Sequence, residues 1–200
     1  MEANPQLTDS SALASNHFEE SFMSEKSGVQ EHDQNYRELS GEEGLKKIAE
    51  LLKGIHIAMV ITSARDGSIS ARPMAVQDKS FDGKFWFLTR VSSEKVDEIQ
   101  QDQHVTLTFT DTSGARYLTL KGRASVSQDR AKINELWSAM YKVWFPKGQS
   151  DPEIAVLRVN VTEAEYWQAS SSSLVRSAKY LAAAVTGGKT SVGETGHVLV

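Results

Sequence analysis

Three side chains in the stretch SARPMAVQDKSFDGKFWFLTRVSSEKVDEI, residues 70–99, carry donors suited to an anion: Arg72, Thr89 and Lys95. Arg72 shares a strand face with Met74, and Thr89 ends a strand on the face of Phe85 and Phe87. Lys95 follows Ser93 in the first turn of a helix. A phosphate monoester carries about −1.5 to −2 charge at neutral pH and three acceptor oxygens, which two cations, hydroxyls and helix-start amides satisfy. The plain alternative is that Arg72 and Lys95 are solvated surface cations, as most lone cations are. Residue type alone leaves both standing.

Other chemistry is sparse. There is no cysteine, which removes disulfides, thiolate nucleophiles and cysteine metal sites. His17, His32, His56, His104 and His197 form no pair at i+2, i+3 or i+4, so no metal site is expected. His56 lies in an apolar run, where a buried imidazole bonded to backbone is the bland expectation and a general acid the sharp one. The phosphate-loop, dinucleotide and H-E-x-x-H signatures are missing, as is a G-x-S-x-G elbow. No catalytic side chain is assigned.

The elements that position these residues follow from periodicity. Ser40 opens a capping box, SGEE, and Leu45, Ile48 and Leu52 follow at helical spacing until Gly54. IHIAMVITS reads as a central strand, and ISARPMAVQ alternates, with Pro73 marking an edge or a bulge. FWFLT is a strand, SSEKVDEIQQD a short helix, and HVTLTFT and RYLTLKGRASVS two more strands, with a bulge or bend at Gly122. Asp129 caps a helix running to Pro146, with Ile133, Leu136, Met140, Val143 and Trp144 as its stripe; EIAVLRVNVT is a long strand. Mainly β (α+β) architecture follows, as a closed or partly closed barrel with flanking helices.

Residues 1–40 hold eight acids against two bases, which leaves 18 acids and 20 bases of the chain's 26 and 22 for the remainder. A near-neutral body argues against nucleic acid as a partner and against an oligonucleotide-binding module. Residues 1–38 read as a disordered acidic tail, 39–188 as one folded domain ending in a helix over Leu174, Val175, Ala178, Leu181 and Val185, and 189–200 as a second disordered tail. No apolar run suits a membrane span or a signal peptide, so a cytoplasmic protein with no membrane partner is expected.

ARPMAVQ, DGKFWFLTRVSSEKVDEIQQDQHVTLTFTD, RYLTLKGRASVSQDRAKINELW, WFPKG and VLRVNVTEAEYW occur in that order. Together they resemble the general stress protein branch of the pyridoxamine 5′-phosphate oxidase-like, FMN-binding split-barrel family, over about residues 40 to 188. The resemblance implies a six-stranded antiparallel Greek-key split barrel and a homodimer with FMN at the subunit interface. It also implies that Arg72 and Lys95 meet the phosphate, Ser93 and Lys95 matching the S-R-K of the oxidases, with Pro73 and Met74 beside the ring system. Leu88 and Thr89 match the family's strand end, and Trp144 is the best candidate among the tryptophans to approach the flavin, with core packing as its alternative.

Glu94 replaces an arginine of the oxidases, Tyr117 a glutamine, and Val76 and Gln77 break the segment whose lysine meets their substrate phosphate. Oxidation of pyridoxamine phosphate is therefore not expected. The implied activity is an FMN-dependent oxidoreductase passing electrons from NAD(P)H to an acceptor. The alternatives are a non-catalytic flavin reservoir or redox sensor, or a related barrel using F420 or haem.

Overall fold

The computed structural model describes residues 36–76, 81–169 and 193–200. Eight strands are described, joined in one sheet: β1 (Tyr36–Ser40), β2 (Ile57–Ser63), β3 (Ile69–Ala75), β4 (Lys84–Arg90), β5 (His104–Asp111), β6 (Arg116–Ser127), β7 (Ile154–Ala169) and β8 (Gly193–Leu199). Three α-helices are described, α1 (Gly41–Leu52), α2 (Glu94–Gln101) and α3 (Arg130–Leu136), with 3₁₀ turns at Ala139–Val143 and Gly148–Ser150. None is long and apolar enough to cross a membrane.

Strands β2 to β7 are the six antiparallel barrel strands. β2 pairs with β3 and β5, β5 with β6, β6 with β7, and β7 with β4. Neither β3 nor β4 has a second partner among the described residues, so the barrel is split between their edges. Pro73 tolerates that position because an edge strand can lack an amide donor. The expected bulge falls between Lys121 and Gly122, where a Cβ on Gly122 would lie 2.3 Å from the Asn160 carbonyl oxygen.

The main core lies inside the barrel, with Val60, Phe87, Leu107, Phe109, Leu120 and Leu157 fully buried and Ile48 and Leu51 of α1 closing one end. A second cluster, Leu88, Ile133, Leu136, Tyr141, Phe145, Ile154 and Val156, sits on the other face of β4 beneath α3. Strand β4 therefore carries apolar side chains on both faces and is fixed from both sides.

Four expectations need correction. The tail assigned to 189–200 contains β8, whose Val198 is fully buried, and residues 36–38 of the acidic tail belong to β1, which pairs in parallel with β8. Val198 fits because Gly44 of α1 faces it, a position where a Cβ would lie 2.4 Å from its Cγ1. The helix after Asp129 stops at Leu136; Trp137 turns extended and packs its ring 6.0 Å from Tyr141 and 6.4 Å from Phe145. Ile133 and Leu136 of the anticipated stripe are buried, but beyond the break Tyr141 and Phe145 are buried in place of Met140, Val143 and Trp144, which are exposed at 61%, 77% and 51%. Ser40 stands at the start of α1, paired with Leu199 as the last residue of β1, and makes no side-chain cap. His56 precedes β2 and is exposed. The helix expected over 170–188 lies outside the described residues.

Candidate functional site

The split between β3 and β4 opens into a cavity of about 240 Å³. Arg72, Pro73, Met74 and Ala75 line it from β3, Leu88, Thr89 and Arg90 from β4, and Ser93 and Lys95 from the start of α2. Met140, Tyr141, Trp144 and Phe145 close it from the 3₁₀ segment. All eight residues singled out from the sequence thus border one cavity. β4 carries Thr89 to its rim because Phe85 and Phe87 on the same face are locked in the main core, while Leu88 is anchored in the second cluster.

Lys95 is half-buried and donates to Thr89 Oγ1 at 3.1 Å and to Ser93 Oγ at 3.2 Å. Burial, and next the positive charge of Arg72, hold its pKa below the ordinary lysine value, with Glu98 acting the other way. Two cations therefore share a partly desolvated space, which an oxyanion would stabilise. Ser93 ends the turn before α2 but its hydroxyl donates to the Arg90 carbonyl at 2.8 Å and does not cap the helix. Val96 N donates to the Ser93 carbonyl at 2.8 Å, and the Glu94 and Lys95 amides keep their hydrogens for another acceptor. Arg90 donates to the Trp144 carbonyl and stacks over the Phe145 ring at 5.4 Å, which fixes the aromatic side of the cavity.

Arg72 is less free than its sequence position suggests. Its Nη2 donates to Glu98 Oε2 at 3.0 Å, and its Nη1 to the Thr62 hydroxyl and, at 3.5 Å, to the Val60 carbonyl. Burial pushes the Glu98 carboxyl up, but hydrogen bonds from Thr62 and Ser70 and the Arg72 charge outweigh it, so its pKa lies below the usual glutamate value. Glu98 and Thr62 escaped the sequence reading, as did Arg90, Tyr141 and Phe145. The available signal for Glu98 was its place three residues after Lys95, on the side of α2 that also carries Ile99.

A larger concavity of about 510 Å³ lies on the outer face of the sheet, with Tyr117 and Trp167 stacked 5.6 Å apart and Glu165 and His197 beside them. It brings no pair of cations together, and the β3–β4 cavity is the better candidate for binding a charged cofactor. The cavity's lining combines Pro, Met, Leu and Trp with Arg, Lys, Thr and Ser, which suits a molecule with a flat apolar part and an anionic tail. Among the described residues no cluster of histidine and carboxylate side chains could hold a metal ion.

Comparison with known proteins agrees with this geometry. Protein bli-3 of Neurospora crassa is 26% identical over 117 residues, covering 54% of this chain and 56% of the fungal protein, so the match spans little more than half of that relative's length. A putative general stress protein 26 from Jannaschia sp. CCS1 superposes with a TM-score of 0.64 at 22% identity, over 78% of this chain and 97% of the other; at that identity the likeness is one of fold. A general stress FMN/FAD binding protein from Xanthomonas citri gives a TM-score of 0.57 at 26% identity, over 66% of this chain and 93% of the other. Residues 43–191 match the family described as pyridoxamine 5′-phosphate oxidase like, a span that includes every residue of the cavity, and the chain belongs to that family.

Proposed function

We propose that the chain binds FMN in the β3–β4 cavity and acts as a flavin-dependent oxidoreductase of the general stress type, taking electrons from NAD(P)H and passing them to a second substrate. The observation that carries this is that Arg72 and Lys95, with the Thr89 and Ser93 hydroxyls, line one cavity whose remaining walls, Arg90 apart, are apolar and aromatic. The bound flavin would supply the redox chemistry; the protein would grip its phosphate and orient its ring. Pro73, Met74, Leu88 and Trp144 offer the apolar surface for that ring. Family membership and the likeness to a flavin-binding stress protein support the same assignment.

A homodimer is part of this proposal. The cavity of about 240 Å³ in one chain is below the roughly 300–1,000 Å³ usual for such ligands, and Met140, Val143 and Trp144 are exposed on the segment that lines it. Exposed apolar side chains also cover the outer sheet face, with Ile57 and Met59 on β2 and Ile69 on β3. A second copy seated there would complete the cofactor site. A reservoir or sensor without turnover is favoured by one feature: among the described residues the lining contains no carboxylate and no imidazole to move protons.

Titration of the apoprotein with FMN and riboflavin tests the binding. Lys95→Met should weaken FMN about 10- to 150-fold, the range set by losing one charge-assisted hydrogen bond, and change riboflavin little. Equal losses for both ligands, or a wild type that holds riboflavin as tightly as FMN, would sink the phosphate assignment. Anaerobic mixing with NADPH or NADH should bleach the flavin band; a band that persists leaves the reservoir.

A further inference from the structure

Glu98 is buried in a protein whose proposed chemistry gives it no task. It lies behind Arg72 in a closed ring of hydrogen bonds. Arg72 Nη1 donates to the Thr62 hydroxyl, that hydroxyl donates to Glu98 Oε2 at 2.5 Å, and Arg72 Nη2 donates to the same oxygen at 3.0 Å. Thr62 is 2% exposed. Its single proton goes to the carboxylate and its lone pair to the arginine, so every polar group in the ring is satisfied in one direction only.

This ring decides which part of the guanidinium meets a ligand. Arginine has five N–H donors in a planar fork. Thr62, Val60 and Glu98 engage both terminal nitrogens, along the far edge of the fork. The Nε hydrogen and the second Nη2 hydrogen remain, and they lie parallel on the side edge, the arrangement that holds an oxyanion through two bonds. Glu98 also offsets the repulsion between Arg72 and Lys95 that the ligand-free cavity would otherwise carry.

We propose that Glu98 and Thr62 are positioning residues, which anchor the far edge of Arg72 so that its side edge is presented to a phosphate group next to Lys95. The assignment rests on the FMN proposal above. It also separates two properties of Glu98: its acceptor oxygen orients Arg72, whereas its negative charge opposes the incoming anion.

Affinities for FMN and riboflavin in Glu98→Leu, Glu98→Gln and Thr62→Val test it. Glu98→Leu removes the acceptor and should weaken FMN about tenfold or more while leaving riboflavin within about twofold, since a neutral ligand end does not use Arg72. Glu98→Gln keeps a carbonyl for Arg72 and removes the charge, so it should bind FMN at least as tightly as the wild type. Thr62→Val keeps the shape and removes the bridge; FMN should weaken about three- to tenfold. If Glu98→Leu does not fold, Thr62→Val decides, and unchanged FMN binding in it overturns the proposal. Equal losses of FMN and riboflavin in these variants would make Glu98 a residue of the fold and overturn it as well. A wild type that discriminates, with full discrimination kept in Glu98→Leu, overturns this proposal alone; a wild type that does not discriminate overturns the FMN proposal and this one with it.

Discussion

Replacing Arg72 by alanine should damage the fold before it damages binding. The guanidinium is paired with Glu98 where the two side chains are only 21% and 10% exposed, and its loss leaves the carboxylate and the Thr62 hydroxyl facing each other without a cation. Breaking a buried pair by removing one partner costs about 3–5 kcal/mol, and with some water reaching Arg72 the lower end applies, about 3 kcal/mol. For a chain of this size that is roughly a 6–12 °C fall in melting temperature. The pH dependence gives the sharper test. In the wild type the Glu98 pKa is depressed, so its contribution is present above the usual glutamate value and is lost as pH falls through the folded value. In Arg72→Ala the cation is gone and burial is opposed only by the Thr62 and Ser70 hydrogen bonds, so the folded Glu98 pKa lies above the wild-type one and the penalty shrinks as pH falls from 8 to 5. Urea unfolding of the flavin-free proteins, followed by far-UV circular dichroism at both pH values, measures this. Glu98→Gln in the Arg72→Ala background should recover most of the loss at pH 8. A penalty below about 1 kcal/mol, or one that does not shrink at pH 5, would mean that Glu98 is hydrated and that the pair does not hold the cavity wall.

Two further outcomes concern the sheet. Met59→Glu places a charge between Pro73 of β3 and Thr108 of β5 on the outer face, and should shift sedimentation at micromolar concentration from dimer to monomer; a variant that remains dimeric would remove this face from the proposed interface. Gly196→Ala puts a methyl group 2.6 Å from the Tyr166 ring, whose hydroxyl is bonded to Glu194, and should cost about 1–3 kcal/mol in thermal unfolding, partly recovered by Tyr166→Leu.

The barrel was legible where a strand alternates in its own sequence. HVTLTFT and RYLTLKG place Val105, Leu107, Phe109, Leu118 and Leu120 inward without help from the rest of the chain, and all five are buried. GETGHVL gave no such signal, because its fit depends on what faces it: Tyr166 fills the space of the missing side chain at Gly196, and α1 yields space to Val198 at Gly44. The overlong helix after Asp129 failed for a related reason. A helical stripe through Met140 and Val143 is as good locally as the real break, and only the packing of Trp137 against Tyr141 and Phe145 selects the break.

The cavity divides along a different line. Residues that meet an anion are constrained in type, so an arginine on an edge strand, a threonine at a strand end and a lysine in a helix's first turn stand out in an acidic chain. Residues that orient them are constrained only to be acceptors at the right place. Glu98 sits in EKVDEIQQ among other charged and polar side chains, and only its spacing from Lys95 and its place beside Ile99 set it apart from a solvated helix face. Thr62 looks like any strand threonine in IHIAMVITS. What singles out both is that Arg72 lies 26 residues before one and 10 after the other and reaches them only once β2, β3 and α2 have packed. The ligand's chemistry is therefore written in residue types, whereas the geometry that makes Arg72 effective is written in the register between β2 and β3, where Val60 pairs with Arg72 and sets its guanidinium beside Thr62. A shift of one residue in that register would turn Arg72 to the outer face and leave Glu98 unpaired, even with every cavity residue unchanged in the sequence.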